Sequence, residues 1–219
     1  MKNILILLAA FSFGELAAQD FDRVFVFLHK NPNKETLTKE EETQLINKHF
    51  ANMAVWDKEG KLINAGPFEG GGGIFVMNNG SVDTVTQWLK SDPAILANRW
   101  LIELYPFTTT IGGSCKLEPP YEMVSYQFVR YSPTNEIANY KSNSSADNEA
   151  LFNDLDHKLK QNNQLLMAGH FASNEGGILI VRDSAGINMI KSSSIVSIGS
   201  LTFDYKELWI AKGSFCENK

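Results

Sequence analysis

Val24 to Leu28 are five apolar residues in a row, the pattern of a strand buried on both faces. Val24, Val26 and Leu28 point one way, and Phe25 and Phe27 the other. Asn31-Pro32-Asn33 stops the strand. Thr38-Lys39-Glu40-Glu41 forms a capping box, with the glutamate three places after the threonine, and opens a helix running to about Trp56. Leu45, Ile46, His49, Met53 and Trp56 share its inward side. Residues 61–68 and 73–77 make two further strands. Ser81 caps a short helix carrying Val82, Val85, Trp88 and Leu89, and residues 99–105 close the unit as a last strand. The order is β-α-β-β-α-β, the ferredoxin-like motif.

A fainter version of the same pattern follows. Phe25-Val26-Phe27-Leu28-His29-Lys30-Asn31-Pro32 is echoed by Tyr126-Gln127-Phe128-Val129-Arg130-Tyr131-Ser132-Pro133. Leu62-Ile63-Asn64-Ala65-Gly66-Pro67-Phe68 is echoed by Leu165-Leu166-Met167-Ala168-Gly169-His170-Phe171. Pro32 and Pro133 stand 101 residues apart, as do the two cysteines, Cys115 and Cys216. Solenoid repeats are shorter than this, so the period marks a duplicated domain. The second copy is expected to have strands at 123–130, 164–171, 177–182 and 202–211. Its helices are expected at 148–161, with Leu151, Phe152, Leu155 and Leu159 on one side, and at 185–192. Residues 141–148 read as a loop.

The domain plan is therefore a first domain at 21–115, a linker at 116–122 containing Pro119-Pro120, and a diverged second domain at 123–216. Helices cover only one face of such a sheet. At roughly 25 cal/mol per Å² a bare apolar face is a severe liability. The fold expected is α+β, with two ferredoxin-like repeats packed sheet to sheet as an intramolecular pseudo-dimer, and a monomer overall.

Composition changes this picture little. The chain is 43% hydrophobic and 21% charged, an ordinary globular balance, and its net charge of −5 argues against nucleic acid. The N-terminus adds more. Lys2 precedes an apolar run from Ile4 to Phe13, and Leu16-Ala17-Ala18-Gln19 supplies small residues for cleavage. That run is too short to span a bilayer and suits a signal peptide at 1–18, cut near Ala18, so export to a periplasm or medium is expected with no membrane anchor in the mature chain. An uncleaved anchor is the alternative. In an oxidising compartment Cys115 and Cys216 suit a bond between the repeats; two free thiols are the other reading. No His/Cys cluster supplies metal ligands, and no metal or cofactor is expected.

Several landmarks of the first repeat fall together: Asn31-Pro32, His49-Phe50, Glu59-Gly60-Lys61-Leu62, Ala65-Gly66-Pro67-Phe68 and Ser91-Asp92-Pro93. Over residues 22–108 the chain resembles the YCII-related domain family of the dimeric α/β-barrel group, and the second half looks like a diverged copy. The resemblance implies a small-molecule cleft beside the sheet, with a helix histidine and an aspartate as acid/base dyad. Residue by residue these fall on His49 and Asp92. The family has no single reaction; wider relatives of the fold include isomerases, monooxygenases and dehydrochlorinases. A histidine titrating near pH 6.5 can exchange protons near neutrality, and a carboxylate can orient it. A satisfied core histidine and a helix N-cap ahead of proline explain the same two residues without chemistry. Laying Ala65 on Ala168 puts His49 on Phe152 and Asp92 in the Ser192-Ser193-Ser194 run, so the second copy lacks the dyad.

The remaining polar features carry less. Gly70 to Gly73 lie between two strands and read as a hairpin connection, not a phosphate loop, because no Lys-Ser/Thr follows. Asp57 suits a solvated helix end. His29 ends the first strand near the expected cleft mouth, His157 lies on a polar helix side, and His170 replaces Pro67. Asn79-Gly80-Ser81 and Asn143-Ser144-Ser145 match the glycosylation pattern. Two functions stay open: an exported protein binding a small organic molecule with His49/Asp92 acid–base chemistry, or a non-catalytic ligand-binding or structural module whose dyad is a relic.

Overall fold

The computed structural model describes residues 21–133, 145–172, 175–197 and 201–216. The expected signal segment, the Asn143-Ser144-Ser145 pattern and the side chain of Leu151 lie outside the described residues. In chain order the first half contains β1 (Arg23–Lys30), α1 (Lys39–Lys58), β2 (Leu62–Pro67), β3 (Gly73–Met77), α2 (Val82–Leu89), α3 (Pro93–Leu96), β4 (Trp100–Ile111) and the two-residue β5 (Gly113–Ser114). The second contains β6 (Met123–Pro133), α4 (Ser145–Gln161), β7 (Leu165–Phe171), β8 (Gly177–Val181), α5 (Ser184–Lys191), α6 (Ser194–Ser197), β9 (Leu201–Ala211) and β10 (Phe215–Cys216). The loop expected at 141–148 is shorter at its end, because α4 already begins at Ser145.

Local chemistry starts and stops these elements as expected. The Thr38 hydroxyl accepts from the Glu41 amide while the Glu41 carboxylate accepts from the Thr38 amide. That amide and hydroxyl hold the Glu41 carboxyl below its usual range. Ser81 caps α2 by accepting from the Thr84 amide. Gly70, Gly71 and Gly72 all adopt positive φ in the β2–β3 hairpin, and a side chain on Gly72 would run into the Leu28 carbonyl.

Eight strands form one antiparallel sheet in the order β2-β3-β1-β4-β7-β8-β6-β9. The sequence suggests two sheets packed face to face. The structure also joins the halves edge to edge, β4 pairing with β7 from Phe107 opposite Phe171 to Ile111 opposite Ala168. At the far ends Phe68 bridges Leu208, and the Glu69 amide donates to the Glu207 carbonyl. Paired edges leave fewer backbone groups exposed than open edges would.

Three apolar layers result. Phe25, Phe27, Phe68, Ile74 and Phe107 pack with Phe128, Phe171, Ile178 and Leu208 in one core built by both halves. On the opposite face Val24, Val26 and Leu28 meet Trp56, Phe75 and Leu89 beneath the first-half helices. Val129, Leu155, Leu159, Leu179 and Ile190 do the same in the second half. The alternation at 24–28 thus separates two different cores.

The repeated Ala-Gly pair has its reason at the seams between the halves. A Cβ on Gly66 would sit 2.7 Å from the Trp209 carbonyl and 2.9 Å from Leu208. One on Gly169 would collide with the Phe107 ring and the Thr108 carbonyl. Strand registers also correct the echo. Leu28 lies opposite Gly73 and Tyr131 opposite Gly177, so Phe25-Val26-Phe27-Leu28 matches Phe128-Val129-Arg130-Tyr131. The sequence echo is two residues out, and a slip of two leaves every side chain on its own face.

Cys115 and Cys216 are joined, Cα atoms 6.0 Å apart, beside the short β5–β10 pair. Closing 101 residues of chain limits the unfolded ensemble, an effect of about 4–5 kcal/mol in the chain-entropy model.

Candidate functional site

α1 presents His49 inward, and the turn between α2 and α3 brings Asp92 to it. His49 Nδ1 and Asp92 Oδ2 are 2.8 Å apart. Asp92 is fully buried and His49 only 6% exposed. The aspartate is well supplied with donors. Its Oδ1 accepts from the Ala94 and Ile95 amides at 3.0 Å each, capping α3 with Pro93 in first position. Oδ2 accepts in addition from Asn52 Nδ2 at 3.2 Å. A carboxylate only accepts, so His49 Nδ1 carries a hydrogen and Nε2 is the acceptor of the neutral ring. Nε2 has no hydrogen-bond partner among the described residues. Around the imidazole stand Trp100, Phe75 and Phe50, with ring centroids 4.9, 5.9 and 5.6 Å away. Phe50 and, on α3, Leu96 are exposed.

Three residues of this arrangement escaped the sequence reading as a connected group. Trp56 Nε1 donates to Ser91 Oγ at 3.1 Å, Ser91 Oγ lies 3.1 Å from Asn52 Oδ1, and Asn52 holds Asp92. The available signal was spacing: Asn52 and Trp56 follow His49 at three and seven residues, on one helix face. Nearby, buried Arg99 donates to the Glu35 carbonyl and to Glu42, and Asn31 donates to the Asn98 carbonyl. These bonds pin the β1–α1 connection to the turn before β4.

The other sequence candidates lie elsewhere. Asp57 faces Lys116, Oδ1 to Nζ 3.4 Å, so it is paired. His157 is exposed and contacts Gln161 on its own helix. His29 points to the core shared by both halves, its Nε2 3.4 Å from Glu103 Oε1 but without hydrogen-bond geometry. There Arg130 of the second half donates to Glu103 and Tyr105 of the first, each at 2.7 Å, and lies 4.7 Å from the Phe27 ring centre. Burial pushes the Glu103 carboxyl up, but the hydrogen bond and charge of Arg130, helped by His29 and Tyr105, outweigh it and hold the group below its usual range. Among the described residues no three potential ligands gather as a metal site.

No family model and no curated protein matches the chain. Among solved structures it is similar to a "Putative monooxygenase" from Fusobacterium nucleatum, with a TM-score of 0.51 and 11% identity over 92% of this chain and 96% of that one. The likeness is one of fold. It agrees with a mixed α+β architecture with a large antiparallel sheet and, among the described residues, six helices. No helix among the described residues is long and apolar enough to cross a membrane.

Proposed function

We propose that the protein binds a small organic molecule at the helix–sheet cleft of its first half and exchanges a proton with it through His49. The observation carrying this reading is the 2.8 Å contact of His49 Nδ1 with Asp92, on a carboxylate held by three further donors. Such a carboxylate fixes the tautomer and orientation of the imidazole and stabilises its charged form when Nε2 takes a proton. Aromatic walls from Trp100 and Phe75 suit an apolar or aromatic substrate body. The wider reading is an exported YCII-related protein, cleaved near Ala18, whose halves act as the intramolecular counterpart of a dimeric α/β barrel. The Cys115–Cys216 bond supports the export, since such bonds persist in oxidising compartments. The core shared by both halves supports the pseudo-dimer.

One observation favours a second reading. Asp92 Oδ1 caps α3 with two amides, a structural duty that explains its burial without chemistry. The dyad would then tie α1 to α3 in a non-catalytic binding module. Wild-type protein and a His49→Ala variant, each titrated with a metabolite panel and followed for turnover, separate the readings. Acid–base catalysis predicts turnover in the wild type that falls at least about 100-fold in the variant. Binding without turnover in both eliminates the enzyme.

A further inference from the structure

The second half has lost the dyad but gained ionisable groups that the first half lacks. α4 and α1 end at equivalent points, each three residues before its next strand, so His49, Met53 and Asp57 correspond to Phe152, Asp156 and Lys160. Strand register makes Leu28 correspond to Tyr131. Phe152, Asp156 and Lys160 follow one another at four-residue spacing along one stripe of α4. Asp156 has a buried Oδ1 with no hydrogen-bond partner among the described residues. An unsatisfied buried oxygen costs free energy and calls for an explanation.

A cavity of about 380 Å³ opens at the Lys160 end of that stripe, lined by Thr110, Ile111, Lys160, Asn163, Leu165 and Leu166. It lies where the β4–β7 pairing shifts register between Thr109 and Ile111. The volume lies within the range of small-molecule sites. Ile111, Leu165 and Leu166 give this lining its apolar side chains, Thr110 and Asn163 add polar ones, and Lys160 supplies a cation. Lys160 forms no ion pair among the described residues, and it is not needed to cap its helix. The last carbonyls of α4 already accept from the amides of Asn162, Asn163 and Gln164.

The first half shows what such a place can hold. There the equivalent helix position is Asp57, with charge of opposite sign, and the chain's own Lys116 reaches it, Nζ to the Asp57 carbonyl at 2.7 Å and to Oδ1 at 3.4 Å. In the second half the helix supplies the cation, and the carboxylate that acts on it among the described residues is Asp156, one turn earlier on the same helix.

We propose that this cavity binds a small organic carboxylate, its anionic end on Lys160 and its apolar part on Ile111, Leu165 and Leu166. The site is separate from His49 and stands whether or not the dyad is catalytic.

The test is an amide-shift NMR titration of the full chain with butyrate, with n-butanol as the uncharged probe of equal length. Saturable shifts of the Gly112, Leu165 and Leu166 amides by butyrate and not by butanol are expected. Lys160→Met, an exposed position, weakens binding about tenfold, as for one charge-assisted contact. Asp156→Asn removes a competing negative charge and tightens it, and His49→Ala leaves it unchanged. Equal butyrate affinity in wild type and Lys160→Met, or no saturable shift in the wild type, overturns the proposal.

Discussion

The two helix–sheet layers of this chain share a backbone plan and differ in where their polar groups sit. In the first, buried His49 and Asp92 and half-buried Asn52 form a hydrogen-bonded group linked onward to Ser91 and Trp56. In the second the matching helix residues are Phe152, Leu155 and Leu159; Phe152 stacks near Tyr131, with centroids 4.7 Å apart. The position of Asp92 before α3 corresponds to Ser193 before α6, whose hydroxyl donates back to the Ile190 carbonyl at 2.6 Å. The second half therefore holds its helix with apolar packing where the first adds hydrogen bonds. Its ionisable groups, Asp156 and Lys160, have moved along the helix toward the seam. One plan can carry a polar network in either of two places because the sheet and cores beneath are set by other residues.

Substitution at the paired positions breaks this comparison most sharply. Asp92→Ala removes an acceptor serving four donors in a fully buried place, and a loss of about 3–5 kcal/mol is expected in denaturant unfolding. Its counterpart Ser193→Ala gives up one hydrogen bond and should cost about 1 kcal/mol. Equal costs would show that the Asp92 network does nothing particular to the first half.

The seam glycines test the opposite expectation, that the halves behave alike. Gly66→Ala and Gly169→Ala each force a methyl group against the neighbouring half's backbone, and each should cost about 2–3 kcal/mol. A neutral result at either position, read by thermal unfolding, would mean that its seam is looser than the structure shows.

The smallest effect is a pH dependence confined to the second half. Burial pushes the Asp156 carboxyl up to about 6, only partly offset by the charge of Lys160, and burial with the Asp156 charge pushes the Tyr131 phenol up as well. A raised acid contributes stability that is fully present below its unfolded value near 3.8 and lost as pH rises through about 6. The wild type should lose about 1 kcal/mol between pH 5 and pH 8 relative to Asp156→Asn. Parallel stability curves for the two proteins would place Asp156 in solvent.

Much of the architecture was legible because its causes are local. The apolar run at 24–28, the Thr38/Glu41 box and the Ser81 cap each act within a few residues, and their elements formed where expected. The meeting of His49 and Asp92, 43 residues apart, could be suspected from the resemblance alone. Asn52 was not legible, since an asparagine on a helix has many ordinary uses, and Ser91 stood out only as part of Ser91-Asp92-Pro93 and not as a partner of Asn52 and Trp56. The short helices α3 and α6 were too brief to produce a period. Joining of the halves through β4 and β7 was missed because no local pattern states which sheet edge meets which.

By itself, the sequence determined the alternation of faces, the helix starts and the doubling of the unit, all set by side-chain periodicity and short-range hydrogen bonds. Only the tertiary structure decided the true offset between the copies, the edge-to-edge union of the sheets and the company each charge keeps. Arg130 shows why. Its guanidinium ends a strand echo unremarkably in the sequence, yet lies on Glu103 and over Phe27 of the other half. Contacts between residues far apart in the chain depend on register and closure, and those are fixed only when all eight strands compete for the same core.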